Sequence, residues 1–304
     1  MRGQYEEDNS EPYCGRYCDV FLAYLWFENS WILADLIAIS LPGLLGIDLL
    51  AMMGEDLYYT WIVYFEYIGI WICGLIIFAV IRGYRPMLQA FSPKRKGNNV
   101  KFALAGGLSL GMGLNLFIAL VAIVTGAIEI HFVGMGAGAF VLLFLAVFIQ
   151  SGAEELVARV YIYQRLRKDF PKWPIIAILG NALFFFLTHI GNPGMTVIST
   201  LVLISAGVFY SLMVYYFDSL WVPILAHTTW NFTQSIILGL PNSGLVFPVS
   251  MFKVDAATSN FAFDPFFGIE GSILTLALNL AVCAGLYYLG RKKGAAETNI
   301  WKES

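Results

Sequence analysis

Charged residues are scarce in this chain, and their scarcity defines its class. Asp, Glu, Lys and Arg make up 13% of the 304 residues, about half the share typical of soluble proteins, whereas 59% are hydrophobic. The mean hydropathy is +0.71. So little polar surface cannot cover a soluble globule of this size, and the composition therefore predicts a polytopic membrane protein.

An excess of basic residues is also lacking. The net charge is −3 and the pI is near 5.6, which leaves no basic face for a nucleic acid. Residues 1–19 are polar and acidic, without the basic start, short apolar core and small-residue cleavage site of a signal peptide. We therefore expect no nucleic-acid partner, and we interpret residues 1–19 as a cytoplasmic N-terminal arm.

Long apolar runs dominate the rest of the chain. About 20 residues are needed to cross the hydrocarbon core as a helix. The candidate spans number about eight: residues 31–53, 57–81, 102–128, 138–160, 174–190, 195–217, 219–240 and 271–290. Only helices or closed barrels satisfy their backbone hydrogen bonds in lipid, and these runs are too long and too uniformly apolar for barrel strands. The predicted fold is an all-α membrane helix bundle.

The basic residues predict the orientation of these spans. Lys and Arg collect in three clusters, at residues 82–101, 159–172 and 291–293. With about eight spans, all three clusters fall on one side, which the positive-inside rule assigns to the cytoplasm. We therefore expect a multi-pass protein of the cell membrane with both termini inside. Residues 20–290 form one transmembrane domain, and residues 291–304 form a cytoplasmic tail.

The run from Gln150 to Arg159 places two adjacent carboxylates and an arginine at the end of a predicted span. Ionised side chains are expensive beside hydrocarbon and indicate a functional site by default. On a helix, Arg159 lies about 40° from Glu155 but about 140° from Glu154. Glu155 is therefore the predicted salt-bridge partner. Glu154 is the better candidate for a general base, because no arginine on its own helix face stabilises its ionised form.

Two of the chain's 3 histidines lie in other apolar runs. Phe185 and His189 are spaced four residues apart, as are His227 and Asn231, so each pair shares one face of a helix. A histidine with an asparagine one turn away offers two donors of the kind that stabilise an oxyanion. The two runs therefore add candidate site residues to the glutamates.

Together, the three motifs resemble the CAAX protease and bacteriocin-processing family, whose members are glutamic intramembrane endopeptidases and include the enzymes that trim prenylated proteins. The family pattern is Glu-Glu-x-x-x-Arg, Phe-x-x-x-His and His-x-x-x-Asn on three separate membrane helices. This chain carries the motifs in that order at residues 154–159, 185–189 and 227–231. Residues 1 to about 130 carry no family motif, and Ala158 stands where many bacterial members have Phe, which could widen the pocket.

The resemblance implies a metal-independent endopeptidase that needs no cofactor and acts on a membrane-anchored or hydrophobic peptide. By this analogy Glu154 and His189 would activate a water molecule, and His227 and Asn231 would hold the oxyanion. Glu155 would complete the catalytic set and, with Arg159, would orient the site. Arg159 and Phe185 would be the supporting residues.

Several alternatives remain open. The charged residues could form a solvated helix end, and the histidines could bridge helices by hydrogen bonds. The same side chains could hold zinc in a metal-dependent peptidase, although no His-Glu-x-x-His helix is present. The scaffold could also serve as a non-catalytic bacteriocin-immunity or signalling protein. A transporter is less favoured, because no inverted repeat or pair of broken helices stands out.

The depth of His189 in the membrane raises a difficulty. At about 1.5 Å per residue, Glu154 and His227 lie toward the cytoplasmic side of their spans, whereas His189 lies about 24 Å from that side. Either its helix begins below the membrane or tilts strongly, or the turn at residues 191–194 is sunk into a water-filled cavity.

Overall fold

The computed structural model describes Trp26, residues 29–294, and residues 300 and 301. The predicted N-terminal arm, residues 1–19, lies outside the described residues, as does most of the predicted tail beyond residue 294. The described α-helices, in chain order, are α1 (Asn29–Leu44), α2 (Leu49–Met53), α3 (Glu55–Val80), α4 (Val100–Val124), α5 (Ala137–Asp169), α6 (Pro174–Leu187), α7 (Val197–Phe217), α8 (Trp221–Asn231) and α9 (Ile273–Lys293). A 3₁₀ helix, Arg82–Phe91, lies between α3 and α4 in the sequence.

The prediction of a polytopic helical membrane protein is confirmed. Five of these helices, α3, α4, α5, α7 and α9, are long and apolar enough to cross a membrane. Helices α1, α6 and α8 are shorter, and α8 is continued by a π-helical turn over Phe232–Ile237. Each of these eight overlaps a predicted span. The first prediction, one span over residues 31–53, is wrong, because the helix ends at Leu44 and Gly46 turns the chain with φ of 71° before α2 begins at Leu49. The count of eight crossings stays a prediction.

A small β-sheet is present that the sequence did not predict. Strand β1 (Ile128–Phe132), in the connection from α4 to α5, pairs antiparallel with β2 (Phe252–Ala257), in the connection from α8 to α9. His131 lies on this sheet, and its Nδ1 is 2.7 Å from Asp255 Oδ1 on the neighbouring strand. The partners are more than 100 residues apart in the sequence, so no local pattern could reveal the pairing.

Glycines on α4 allow helix α8 to pack unusually close. A Cβ at Gly107 or Gly111 would overlap Leu225, Ala226 or Thr229 of α8. Thr229 Oγ1 also donates to the Gly107 carbonyl at 2.9 Å. Small residues at such crossings let backbones approach within contact distance in a membrane. This contact fixes α8 and the third motif that it carries.

The N-terminal end of α8 is held by polar side chains from the segment before α4. Asn98 Oδ1 accepts from the Leu220 amide at 2.8 Å, and the buried Arg95 Nη2 lies 2.8 Å from Asp218 Oδ1. Asp218 ends α7 in the left-handed conformation with φ of 53°. These contacts fix the position of the first turn of α8 and therefore the position of His227 along the helix axis.

Candidate active site

The motif residues meet at one cavity. Its volume is about 520 Å³, and its wall is formed mainly by helices α3, α5, α6, α7 and α8 and the connection from residue 241 to residue 270, with single residues from α1 and α9. Five of the predicted site residues line it: Glu154, Phe185, His189, His227 and Asn231. Glu155 and Arg159 lie behind the wall, fully buried. The three motifs, which are far apart in sequence, therefore form one cluster.

Glu155 and Arg159 form the ion pair that their spacing predicts. Arg159 Nη1 lies 3.0 Å from Glu155 Oε1, and both side chains are 0% exposed. The Arg159 guanidinium also lies 4.8 Å from the ring centre of Phe185 and 5.0 Å from that of Tyr210. Both are cation–π distances, so the charge is stabilised by a carboxylate and by two aromatic faces.

The backbone of α5 changes its winding at this point. A π-helical turn runs over Leu156–Ile162, directly after Glu155, and Arg159 lies within it. Single π-helical turns inside α-helices are frequent at functional sites, because the extra residue per turn re-aims neighbouring side chains.

His227 lies between the two glutamates. Its Nδ1 is 3.0 Å from Glu155 Oε1, and its Nε2 is 3.8 Å from Glu154 Oε2. A carboxylate oxygen that already accepts from Arg159 can only accept again, so His227 Nδ1 is the donor. The Glu155–Arg159 pair thus orients His227, and the Nε2 edge of the ring faces the cavity and Glu154.

Glu154 has one carboxylate oxygen without a hydrogen-bond partner. Its Oε1 accepts from Gln150 Nε2, one turn earlier on α5. Its Oε2 is buried and accepts no hydrogen bond within the described part of the chain. Buried polar atoms are nearly always paired, so an unpaired acceptor on a cavity wall marks a place where a water or a substrate group can bind.

His189 reaches the same cavity from the turn after α6. Its Nδ1 donates to the Phe185 carbonyl at 2.8 Å, which leaves Nε2 as an acceptor in the neutral ring. His189 and Glu154 share the cavity wall without a direct hydrogen bond between their described side chains.

The short helix α6 bears on the depth of His189. It has 14 residues, about 21 Å at the helical rise, and is followed by a turn that packs under the residue 241–270 connection. Asn192 in that turn donates to the Ser243 carbonyl at 2.9 Å and lines the cavity. The turn thus contacts the connection beside the cavity, and both explanations for the depth of His189 stay predictions.

The side chain of Asn231 is oriented by neighbours on both sides. Its Nδ2 donates to Gln150 Oε1 at 3.2 Å and to Ser151 Oγ at 3.3 Å on α5, and its Oδ1 accepts from Asn242 Nδ2 at 3.1 Å. Because Gln150 donates to the Glu154 carboxylate through Nε2, its Oε1 can only accept, so the Asn231 nitrogen is directed at α5, toward the side of Glu154.

Several of these neighbours were not predicted to belong to the site. Gln150 and Ser151 adjoin the first motif, and the spacing of Gln150 from Glu154 was a usable signal because it puts both on one helix face. Tyr210 and Asn242 carry no local signal, since one lies in an ordinary apolar helix and the other in a long connection. Within the described residues, no group of three His, Cys, Asp or Glu side chains is arranged to hold a metal ion.

The fold and this cavity define a class: a helical multi-pass membrane protein with a polar, carboxylate- and histidine-lined site among its helices. A family model described as type II CAAX prenyl endopeptidase Rce1-like matches residues 136–233, about a third of the chain, which include all three motifs. The match confirms the resemblance of these residues to the CAAX protease family. Neither the curated proteins nor the solved structures give a match.

Proposed function

We propose that this protein is an intramembrane endopeptidase that hydrolyses a peptide bond of a membrane-associated peptide or protein. The observation that carries the proposal is the unpaired Oε2 of Glu154, on a cavity wall shared with two histidines. The family match over the motif region supports peptidase chemistry at this place.

Glu154 and His189 are proposed to activate the attacking water. The Glu154 Oε2 atom is available to accept one proton of the water, and the unprotonated Nε2 of His189 can accept its second hydrogen bond. A water polarised by two acceptors attacks the peptide carbonyl carbon. The proton held by Glu154 then passes to the leaving amine, so that the carboxylate is regenerated.

His227 and Asn231 are proposed to stabilise the oxyanion. Donors on the cavity wall become more effective as negative charge develops on the carbonyl oxygen, because the site excludes bulk water. His227 in its protonated form can donate from Nε2. Asn231 can donate from Nδ2 once a substrate oxygen replaces Gln150 or Ser151 as the acceptor. The Glu155–Arg159 pair keeps the His227 ring in place.

A hydrophobic peptide is the substrate that fits the walls. Beyond the polar cluster, the cavity is bounded by apolar and aromatic side chains: Trp26, Trp31, Val63, Tyr67, Ile70, Val157, Tyr161 and Ile162. Such a surface can bind the apolar part of a membrane-anchored peptide while its polar backbone reaches Glu154. Ala158 also lines this cavity, and we infer that its small side chain leaves more room for the substrate than a Phe would.

Cleavage of a set of membrane-anchored peptides by the purified protein in liposomes tests the proposal. Glu154→Gln keeps the shape of the side chain but removes its ability to take a proton, so we expect cleavage to be lost. Glu129→Gln is the matched control, since Glu129 is exposed on strand β1. A Glu154→Gln variant that cleaves at the wild-type rate would contradict the assignment.

A further inference from the structure

A third carboxylate, outside the three motifs, is directed at the same cavity. Glu270 lies in the 3₁₀ turn Ile269–Gly271, at the end of the long connection after α8. Its side chain lines the cavity, although the residue is only 7% exposed. A buried carboxylate at the boundary of a membrane domain needs hydrogen-bond donors to offset the loss of hydration.

Three donors satisfy Glu270. Its Oε1 accepts from Trp230 Nε1 at 2.8 Å, and its Oε2 accepts from both the amide and the hydroxyl of Ser243, at 2.7 and 2.8 Å. Hydrogen bonds to an ionised carboxylate are roughly twice as strong as those between neutral groups. Both oxygens are in use, so Glu270 acts on its protein neighbours rather than as a base.

The first neighbour links Glu270 to the turn that contacts Asn231. Ser243 is held with φ of 48°, a conformation that costs free energy in a residue other than glycine, and the carboxylate bonds to its amide stabilise this conformation. The adjacent Asn242 forms a tight turn with Leu245 through bonds of 2.8 and 2.9 Å. This turn delivers Asn242 Nδ2 to Asn231 Oδ1.

The second neighbour, Trp230, links Glu270 to helix α8, which carries Asn231. Trp230 directly precedes Asn231, and its indole nitrogen donates to Glu270 Oε1. One carboxylate therefore holds both helix α8 and the Asn242–Ser243 turn. It fixes the position of Asn231 relative to Asn242, whose side chain donates to the Asn231 amide oxygen.

We propose that Glu270 is a positioning residue, which acts through Trp230 and the Asn242–Ser243 turn to keep Asn231 Nδ2 directed at the α5 side of the cavity. The inference rests on the proposed function, because it assigns Glu270 to the geometry of the oxyanion donor. A glutamine at this position cannot accept at both atoms, and its amide nitrogen would face either the Ser243 amide or the Trp230 indole, donor against donor.

Kinetics of the full-length protein in liposomes test the positioning role. We expect Glu270→Gln to lower kcat by roughly tenfold to a hundredfold, with little change in KM, since a small displacement of a catalytic group has effects of this size. Asn242→Ala breaks the same link at the other end, so it should give the same pattern, and it serves if Glu270→Gln does not fold. Asp255→Asn, an exposed carboxylate of the same external region, is the control and should leave both constants unchanged.

Combination with Asn231→Ala separates positioning from a general effect on the fold. If Glu270 acts only through Asn231, the double variant should be no slower than Asn231→Ala alone. Losses that multiply, or a change confined to KM, would overturn the proposal.

A readout independent of activity distinguishes the two proposals. The side-chain amide NMR signal of Asn231, assigned by its loss in Asn231→Ala, should shift in Glu270→Gln. An unmoved signal would overturn the positioning role, whatever the activity. If the wild-type protein cleaves no peptide but the signal shifts, the proposed function fails and the positioning of Asn231 by Glu270 stands.

Discussion

Substitution by glutamine should have different effects at the two adjacent glutamates: at Glu155 it should lower the stability, and at Glu154 it should abolish the activity but leave the stability nearly unchanged. Glu155 Oε1 receives two charge-assisted hydrogen bonds, from Arg159 Nη1 and His227 Nδ1, each at 3.0 Å. Glu155→Gln removes the carboxylate that is paired with the buried Arg159, and removal of one partner from a buried pair costs about 3–5 kcal/mol. Glu154 is 19% exposed and bonds only Gln150 within the described chain, so Glu154→Gln should change the unfolding free energy by less than about 1 kcal/mol.

Reversible unfolding in mixed micelles with a denaturing detergent measures the difference. Glu154→Gln should be inactive but as stable as the wild type, whereas Glu155→Gln should unfold at a clearly lower detergent fraction. A double variant, Glu155→Leu with Arg159→Met, replaces the pair by apolar groups and should be less destabilised than the two single losses together predict. Equal stabilities of the two Gln variants would refute the assignment of Glu155 as the structural carboxylate and Glu154 as the reactive one.

The remaining predictions concern the oxyanion, the metal and the topology. Asn231→Ala should lower kcat about a hundredfold with little change in KM, because an oxyanion donor acts chiefly in the transition state; a change in KM alone would make Asn231 a substrate-binding residue. Excess chelator should leave cleavage unchanged and the purified protein should carry no stoichiometric zinc; loss of activity restored by added zinc would favour the metallopeptidase interpretation. After replacement of the native cysteines, Lys172→Cys should react with an impermeant thiol reagent only in inside-out vesicles and Thr258→Cys only in intact cells; the reverse pattern would invert the predicted topology. The native cysteines are Cys14, Cys18, Cys73 and Cys283.

Local spacing along single helices was enough to determine part of this site. The scarcity of charge and the length of the apolar runs determined the membrane class, because a helix in lipid needs an apolar surface of a known length. The Glu155–Arg159 pair follows from the helical repeat, which places residues four apart on one face in any surroundings. The three motifs were recognisable for the same reason.

Only the tertiary structure decided which residues of different helices pair with each other. His227 pairs with Glu155 across 72 positions of sequence, and this pairing depends on the height at which Gly107 and Gly111 allow α8 to pack. Asn242 and Glu270 reach Asn231 and Trp230 from a connection without a motif, and the path of such a connection is set by hydrogen bonds to distant groups. The sequence pattern of a helix shows which of its faces are polar. The partner of each buried polar atom is decided by packing between helices, because an unpaired buried group costs more free energy than any local preference can offset.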